Sequence, residues 1–212
     1  MTVYVLQRFD AQAYYNGKLL LALFGREVIV DGAREKEHWY RIGGKNYKFG
    51  KVEFCQITGL KFGGSSFIPD EHESIPPPEN GVYRHHYYGK SVVDAHLLND
   101  FKNGSFAEYP DDALKVAHIL VVHYFFFAPD PSSTVPLWLW SLVDEPEMFR
   151  MFPWGAYVFQ RLHHYLDDVI CAPEDGSDVQ FNIHAYLMPL QKQATEEEKG
   201  WIHYGKVFEE VS

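Results

Sequence analysis

Cysteine is scarce in this 212-residue chain: there are two, Cys55 and Cys171, far apart in sequence. Two thiols make no zinc-finger spacing, which excludes a structural zinc site built mainly of thiolates. No N-terminal apolar run with a small-residue cleavage site is present. A reducing, intracellular setting is therefore expected, nuclear or cytoplasmic. Positive charge is also in deficit, with 19 Lys plus Arg against 29 Asp plus Glu and a formal net charge of −10. Nonspecific binding to a phosphate backbone is driven by cations that displace counterions, so nucleic acid is disfavoured as a partner. Lys45, Lys48, Lys51 and Lys61, interspersed with Tyr47, Phe49 and Phe62, read as a solvated face. A membrane span needs ~20 apolar residues. The most apolar stretch is shorter, carries Lys115, His118 and His123, and ends in Pro129-Asp130-Pro131, so no membrane segment is expected. The glycines from Gly59 to Gly64 lack the lysine-serine or helix-opening context of a phosphate-binding loop. There is no internal repeat.

What the chain does have is apolar and aromatic bulk, 46% hydrophobic and 17% aromatic. That suffices for a substantial core in one domain spanning residues 1–212. Asp112 to Phe127 (DALKVAHILVVHYFFF) is apolar on nearly every face of a helix, which places it at the centre of a fold. Asp111 or Asp112 can cap it behind Pro110, and Pro129 forbids continuation. Upstream, Ala11 to Phe24 has amphipathic helical spacing, Glu27 to Asp31 is a short β-branched run, and Trp39 to Ile42 leads through Gly43-Gly44 into Tyr47 to Phe49 as a hairpin. Val52 to Leu60 fits a short helix or a strand equally well. Residues 65–81, with Pro76-Pro77-Pro78, read as an exposed loop between a sheet-containing lobe, about 1–64, and a helical lobe, about 82–212. In the second lobe Val82 to Tyr88 is a strand or an aromatic arm. A helix runs from Ser91, its expected cap, to Phe101, with Val92, Ala95, Leu98 and Phe101 inward. Val135 to Val143, Glu145 to Phe152 and Ala156 to Ile170 complete the helical half, and the tail alternates from Phe181 to Leu187 before a helix opens at Thr195. The expected architecture is α+β and mainly α-helical, a small N-terminal antiparallel sheet packed on helices around the central one.

Eleven histidines raise the question of metal. His163 with Asp167, and His164 with Asp168, stand at i,i+4, a spacing that places each pair on one helical face. Histidines near a helix C-terminus also complement its dipole, and that reading needs neither metal nor cofactor, so none is expected. His118 and His123 are five apart and diverge around a helix, as two separate hydrogen-bonded core histidines. Cys55 lies in an apolar run and reads as a packed hydrophobe. Trp138, Trp140 and Trp154, with Tyr87 and Tyr88, supply rings for a recognition surface.

Three stretches carry a family likeness. Leu23 to Val30 (LFGREVIV), Val52 to Leu60 (VEFCQITGL), and the block from Asp112 through LWLWSLVDEPEMFRMFPWGAYVFQRLHHYL to Leu166 resemble the plant transposon-associated domain of unknown function numbered nineteen eighty-five. The likeness covers residues 19 to 190, and PWG followed by an aromatic helix is its most specific element. It implies a plant protein derived from a Mutator-like element, in a family whose domain commonly precedes a SUMO-specific cysteine protease and has no activity of its own assigned. This chain stops at Ser212 without the His, Asp and Cys segments of such a protease, so protease activity does not carry over. The leading expectation is a non-catalytic module that binds a protein partner through its aromatic surface. The competing one is an enzyme or small-ligand protein using His118, His123 and Cys55 in a pocket between sheet and central helix. A nucleic-acid-associated module is the third.

Overall fold

A computed structural model describes residues 17–63, 75–170, 185–187 and 189–190. Cys171, most of the 65–81 loop, residues 11–16, the strand-like 181–184 and the helix expected at Thr195 lie outside them. The elements run α1 (Gly17–Phe24), β1 (His38–Ile42), β2 (Lys45–Phe49), α2 (Lys51–Thr58), α3 (Val82–His86), α4 (Asp94–Lys102), α5 (Pro110–Ile119) with a π-helical continuation (Leu120–Phe127), α6 (Leu137–Val143), α7 (Pro146–Met151) and α8 (Trp154–Ile170). This is the mainly helical α+β fold expected, with one small antiparallel sheet among the described residues.

The hairpin pairs His38 with Phe49 through to Ile42 with Lys45. Its two-residue turn uses Gly43 at φ 59 and Gly44 at φ 75, the doubly positive geometry whose twist matches the strands. His38, Tyr40 and Ile42 alternate inward. The Glu27 to Asp31 run adds one bridge, Glu27 to Tyr40. Val52 to Leu60 resolves as helix α2, because Glu53 reaches back to accept the Gly50 N–H at 3.0 Å and Gly59 closes it at φ 70.

Two boundaries differ from expectation. Val82 to His86 is helical: the Asp144 carboxylate accepts the Val82 N–H at 3.3 Å and Lys115 Nζ at 2.8 Å, fastening this turn to α5 and α6. Helix α4 starts at Asp94 rather than behind a Ser91 cap, since Val93 pairs with Thr134 as an isolated bridge. Its buried residues are accordingly Asp94 and Leu97, while Ala95 is exposed.

The central stretch is helical throughout, but its second half widens to i→i+5 hydrogen bonding and ends at Ala128, φ 42, whose N–H donates to His123 O at 3.1 Å. Val116, Ile119 and Leu120 are completely buried. Tyr109 precedes Pro110 at the N-terminus, which frees Asp112 for tertiary bonds.

Helix α8 joins the halves. Phe159 meets Phe54 of α2 at 5.4 Å between centroids, while Tyr157 meets Phe127 at 5.0 Å and Arg161 Nε donates to Phe127 O at 3.3 Å. Its start is fixed at Gly155, whose N–H donates to Lys61 O at 3.0 Å; a Cβ there would lie 2.7 Å from that oxygen and 2.9 Å from Phe62 Cδ2. On α8 Val158, Leu162 and Leu166 face inward and Tyr165 is half-buried. One buried cluster runs from Leu19 to Leu190.

Candidate functional site

The polar chemistry of the described residues gathers at three places where an imidazole meets a carboxylate. The first is internal: His123 Nδ1 lies 2.9 Å from Asp94 Oδ1, and both residues are buried. This pair ties the start of α4 to the π-helical segment. His118 turns the other way, as the five-residue separation implies. It is half-buried and stacks on Phe149 at 5.0 Å, with burial pushing its pKa down, so it is a rim histidine rather than a core one. Cys55 is half-buried on α2, not fully packed. Among the described residues no hydrogen bond or ion pair joins it to either histidine. The place between hairpin and central helix, where the sequence reading puts a ligand pocket, holds α8 with Val158 and Leu162 fully buried.

The second place is Asp112. Its Oδ2 lies 2.8 Å from His86 Nε2 and 3.5 Å from His85 Nδ1. Burial pushes this carboxyl up, but the bonds from His86 and His85, with His86 and Lys115 nearby, outweigh it and hold the group below its ordinary range. The rings of Phe106 and Tyr109 pack edge-on against His86 at 5.2 and 5.4 Å.

The third place lies between β1 and α8. Glu27 Oε1 is 2.9 Å from His38 Nδ1, the His38 and His163 rings approach to 4.7 Å, and His163 Nδ1 is 2.8 Å from Asp167 Oδ2. His38 is 4% exposed and its Nε2 has no hydrogen-bond partner. A buried polar atom left so costs about 1–3 kcal/mol. Burial holds the His163 pKa below the ordinary histidine range; Asp167 opposes that shift, and His38 and Lys36 add to it. The Tyr40 hydroxyl beside them is also buried without a partner, its pKa pushed far up by burial and by Glu27. Of the expected metal pairs, His163 and Asp167 thus meet and gain His38. His164 is exposed, its ring 5.6 Å from Tyr165, and the Asp168 side chain lies outside the described residues. Sequence reading missed His38 because it began the strand at Trp39, one residue late. The signal was there, since His38 shares the inward alternation of Tyr40 and Ile42.

The expected aromatic surface divides. Trp138 and Trp140 are 1% and 0% exposed, so they are core and present no ring edge to a partner. Tyr87 is buried as well: its hydroxyl donates to Asp100 Oδ2 at 2.9 Å, and burial, then Asp100, pushes its pKa well up. Tyr88 is 65% exposed under the Arg84 guanidinium at 4.4 Å. Trp154 is half-buried and donates Nε1–H to Phe149 O at 2.9 Å. From it a ring stack runs outward through Phe149 at 4.9 Å to His118, and inward through Phe152 at 4.3 Å to Trp138. Lys48, from the basic stretch, is neutralised locally by Glu37 at 3.3 Å and Glu53 at 3.6 Å.

The family described as a domain of unknown function, DUF1985, matches residues 26–164. The chain belongs to the DUF1985 family. The matched span runs from the turn before Glu27 to the middle of α8, and so takes in the hairpin, the central helix and the PWG turn of this DUF1985 domain. No curated protein and no solved structure matches the chain. Among the described residues no helix is long and apolar enough to cross a membrane.

Proposed function

We propose that this DUF1985 domain is a non-catalytic module that binds a protein partner at the outer end of its ring stack. The observation that carries the reading is the pair Met148 and Met151, 61% and 58% exposed on α7 beside half-buried Phe149. Two adaptable thioether side chains flanking a ring make a surface that re-packs against a partner's apolar face. The exposed acid Glu145 stands in the same stretch, where Arg150 pairs with Glu147 at 2.6 Å, and the chain carries a formal net charge of −10. The partner segment is therefore amphipathic and basic. The family likeness adds the setting: an intracellular plant protein, nuclear or cytoplasmic, derived from a transposable element.

The test places a photoreactive residue at Met151 or, as a control, at Lys45 on the hairpin turn. A protein adduct formed at Met151 and absent at Lys45 is the expected result. Equal labelling at both positions would sink the reading. So would tight binding of DNA or RNA in a low-salt gel shift that weakens steeply with salt, the signature of counterion release.

A further inference from the structure

We propose that His38, His163 and Asp167 form a binding site for a divalent transition cation of the zinc class, at the junction of β1 and α8. Each residue offers one ligand atom, and the three atoms lie within 4.8 Å of one another. Ligand atoms on a tetrahedral zinc stand about 3.4 Å apart, from bond lengths of about 2.1 Å. Asp167 Oδ2 now stands 2.8 Å from His163 Nδ1, and with its side chain 54% exposed it has the freedom to open that hydrogen bond to ligand spacing, the shared proton leaving as the metal binds.

The donor chemistry is already arranged for a metal. Glu27 Oε1 accepts the His38 Nδ1–H at 2.9 Å, which fixes the tautomer and leaves Nε2 with a bare lone pair. That Nε2 is buried without a partner, and its ring faces His163 at 4.7 Å. A carboxylate behind a histidine whose other nitrogen is free is the outer-shell arrangement that orients metal-bound imidazoles. Two nitrogens with one oxygen favour zinc and its transition-metal neighbours over magnesium or calcium, which take oxygen ligands. Three protein ligands leave a fourth position on the exposed Asp167 side for water. Lys36, in the loop before β1, is an opposing charge that acts on His163. The second triad of this kind, His85, His86 and Asp112, lacks the decisive feature, since no buried nitrogen in it is without a partner. A bound cation would clamp the hairpin to α8.

The experiment titrates zinc chloride into the metal-stripped full chain by calorimetry and repeats the thermal melt with zinc and then with EDTA. One-to-one binding with a melting point raised by zinc and restored by EDTA is expected. Asp167→Asn keeps the fold, because its carboxylate is exposed, and weakens the zinc Kd about tenfold or more. Glu27→Gln weakens it by a similar factor through the tautomer of His38. His85→Ala with His86→Ala leaves the Kd unchanged. Cobalt(II) gives the intense visible bands of a tetrahedral site in the parent and loses them in Asp167→Asn. The proposal is overturned if the parent binds no zinc at micromolar concentration, if folded Asp167→Asn binds as tightly as the parent, or if the His85/His86 variant abolishes binding.

Discussion

At Asp112 one carboxylate faces two imidazoles, whereas between β1 and α8 two imidazoles face each other, with Glu27 behind one and Asp167 beside the other. The residue types are the same, and the outcomes differ by which atom is left over. Around Asp112 the acid is the shared acceptor, and both histidines reach out from a single turn of helix toward water, with side chains 52% and 19% exposed. That group is a strut with its charge partly solvated. In the second group a nitrogen remains inside the protein with nothing to bond, while the acid on the far side is wet. Such a group has capacity for a ligand. Counting histidines and acids in the sequence cannot separate the two cases, because the separation lies in tautomer and burial.

The sharpest way to break this comparison is to remove the scaffold beneath it. Leu120 is fully buried in the π-helical segment, so Leu120→Asp places an unpaired charge in the core and should abolish soluble, cooperative folding. A soluble variant with a sigmoidal melt would show the central helix to be peripheral. Val121 is half-buried and Val121→Asp is milder for that reason. The next effect targets the seam between the start of α8 and the segment after α2. Gly155→Ala drives a Cβ against the Lys61 carbonyl at 2.7 Å, a backbone clash that neither side relieves cheaply. A loss of about 1–3 kcal/mol by urea denaturation is expected, together with weaker protection of the hairpin amides; unchanged protection would show that the turn does not hold the halves together. The smallest effect isolates the strut. Asp112→Asn should cost about 1 kcal/mol near neutral pH, since part of each bond is exchanged for water. The folded pKa of Asp112 lies below its ordinary 3.8, so its contribution is present above that value and fades as pH falls through the lower folded pKa. The difference between parent and Asp112→Asn should therefore narrow in acid, and a gap that persists at pH 2 would count against the ion pairs.

Much of this architecture was legible in the residues. The central helix announced itself by an apolar run closed by prolines, and the hairpin by two adjacent glycines between β-branched and aromatic runs. The widening of the helix after Ile119 was not legible, because Asp94 grips His123 from twenty-nine residues away. For the same reason Val82 to His86 looked like a strand: the group that caps it, Asp144, is sixty-two residues distant. The candidate site was half legible. Its α8 pair stands at i,i+4, but His38 and Glu27 enter through strand register and a bridge from the loop, which periodicity alone does not reveal.

The seam at α8 also sets a timetable for synthesis. Phe54 and Phe62 lie near residue 60, while their cover, Phe159, lies about a hundred residues later, a stretch that takes roughly 5–20 s to translate. For that interval the nascent hairpin and α2 have no lid for their aromatic face, which stays uncovered until the PWG turn leaves the ribosome and α8 closes over it, and the slower the elongation the longer it is exposed.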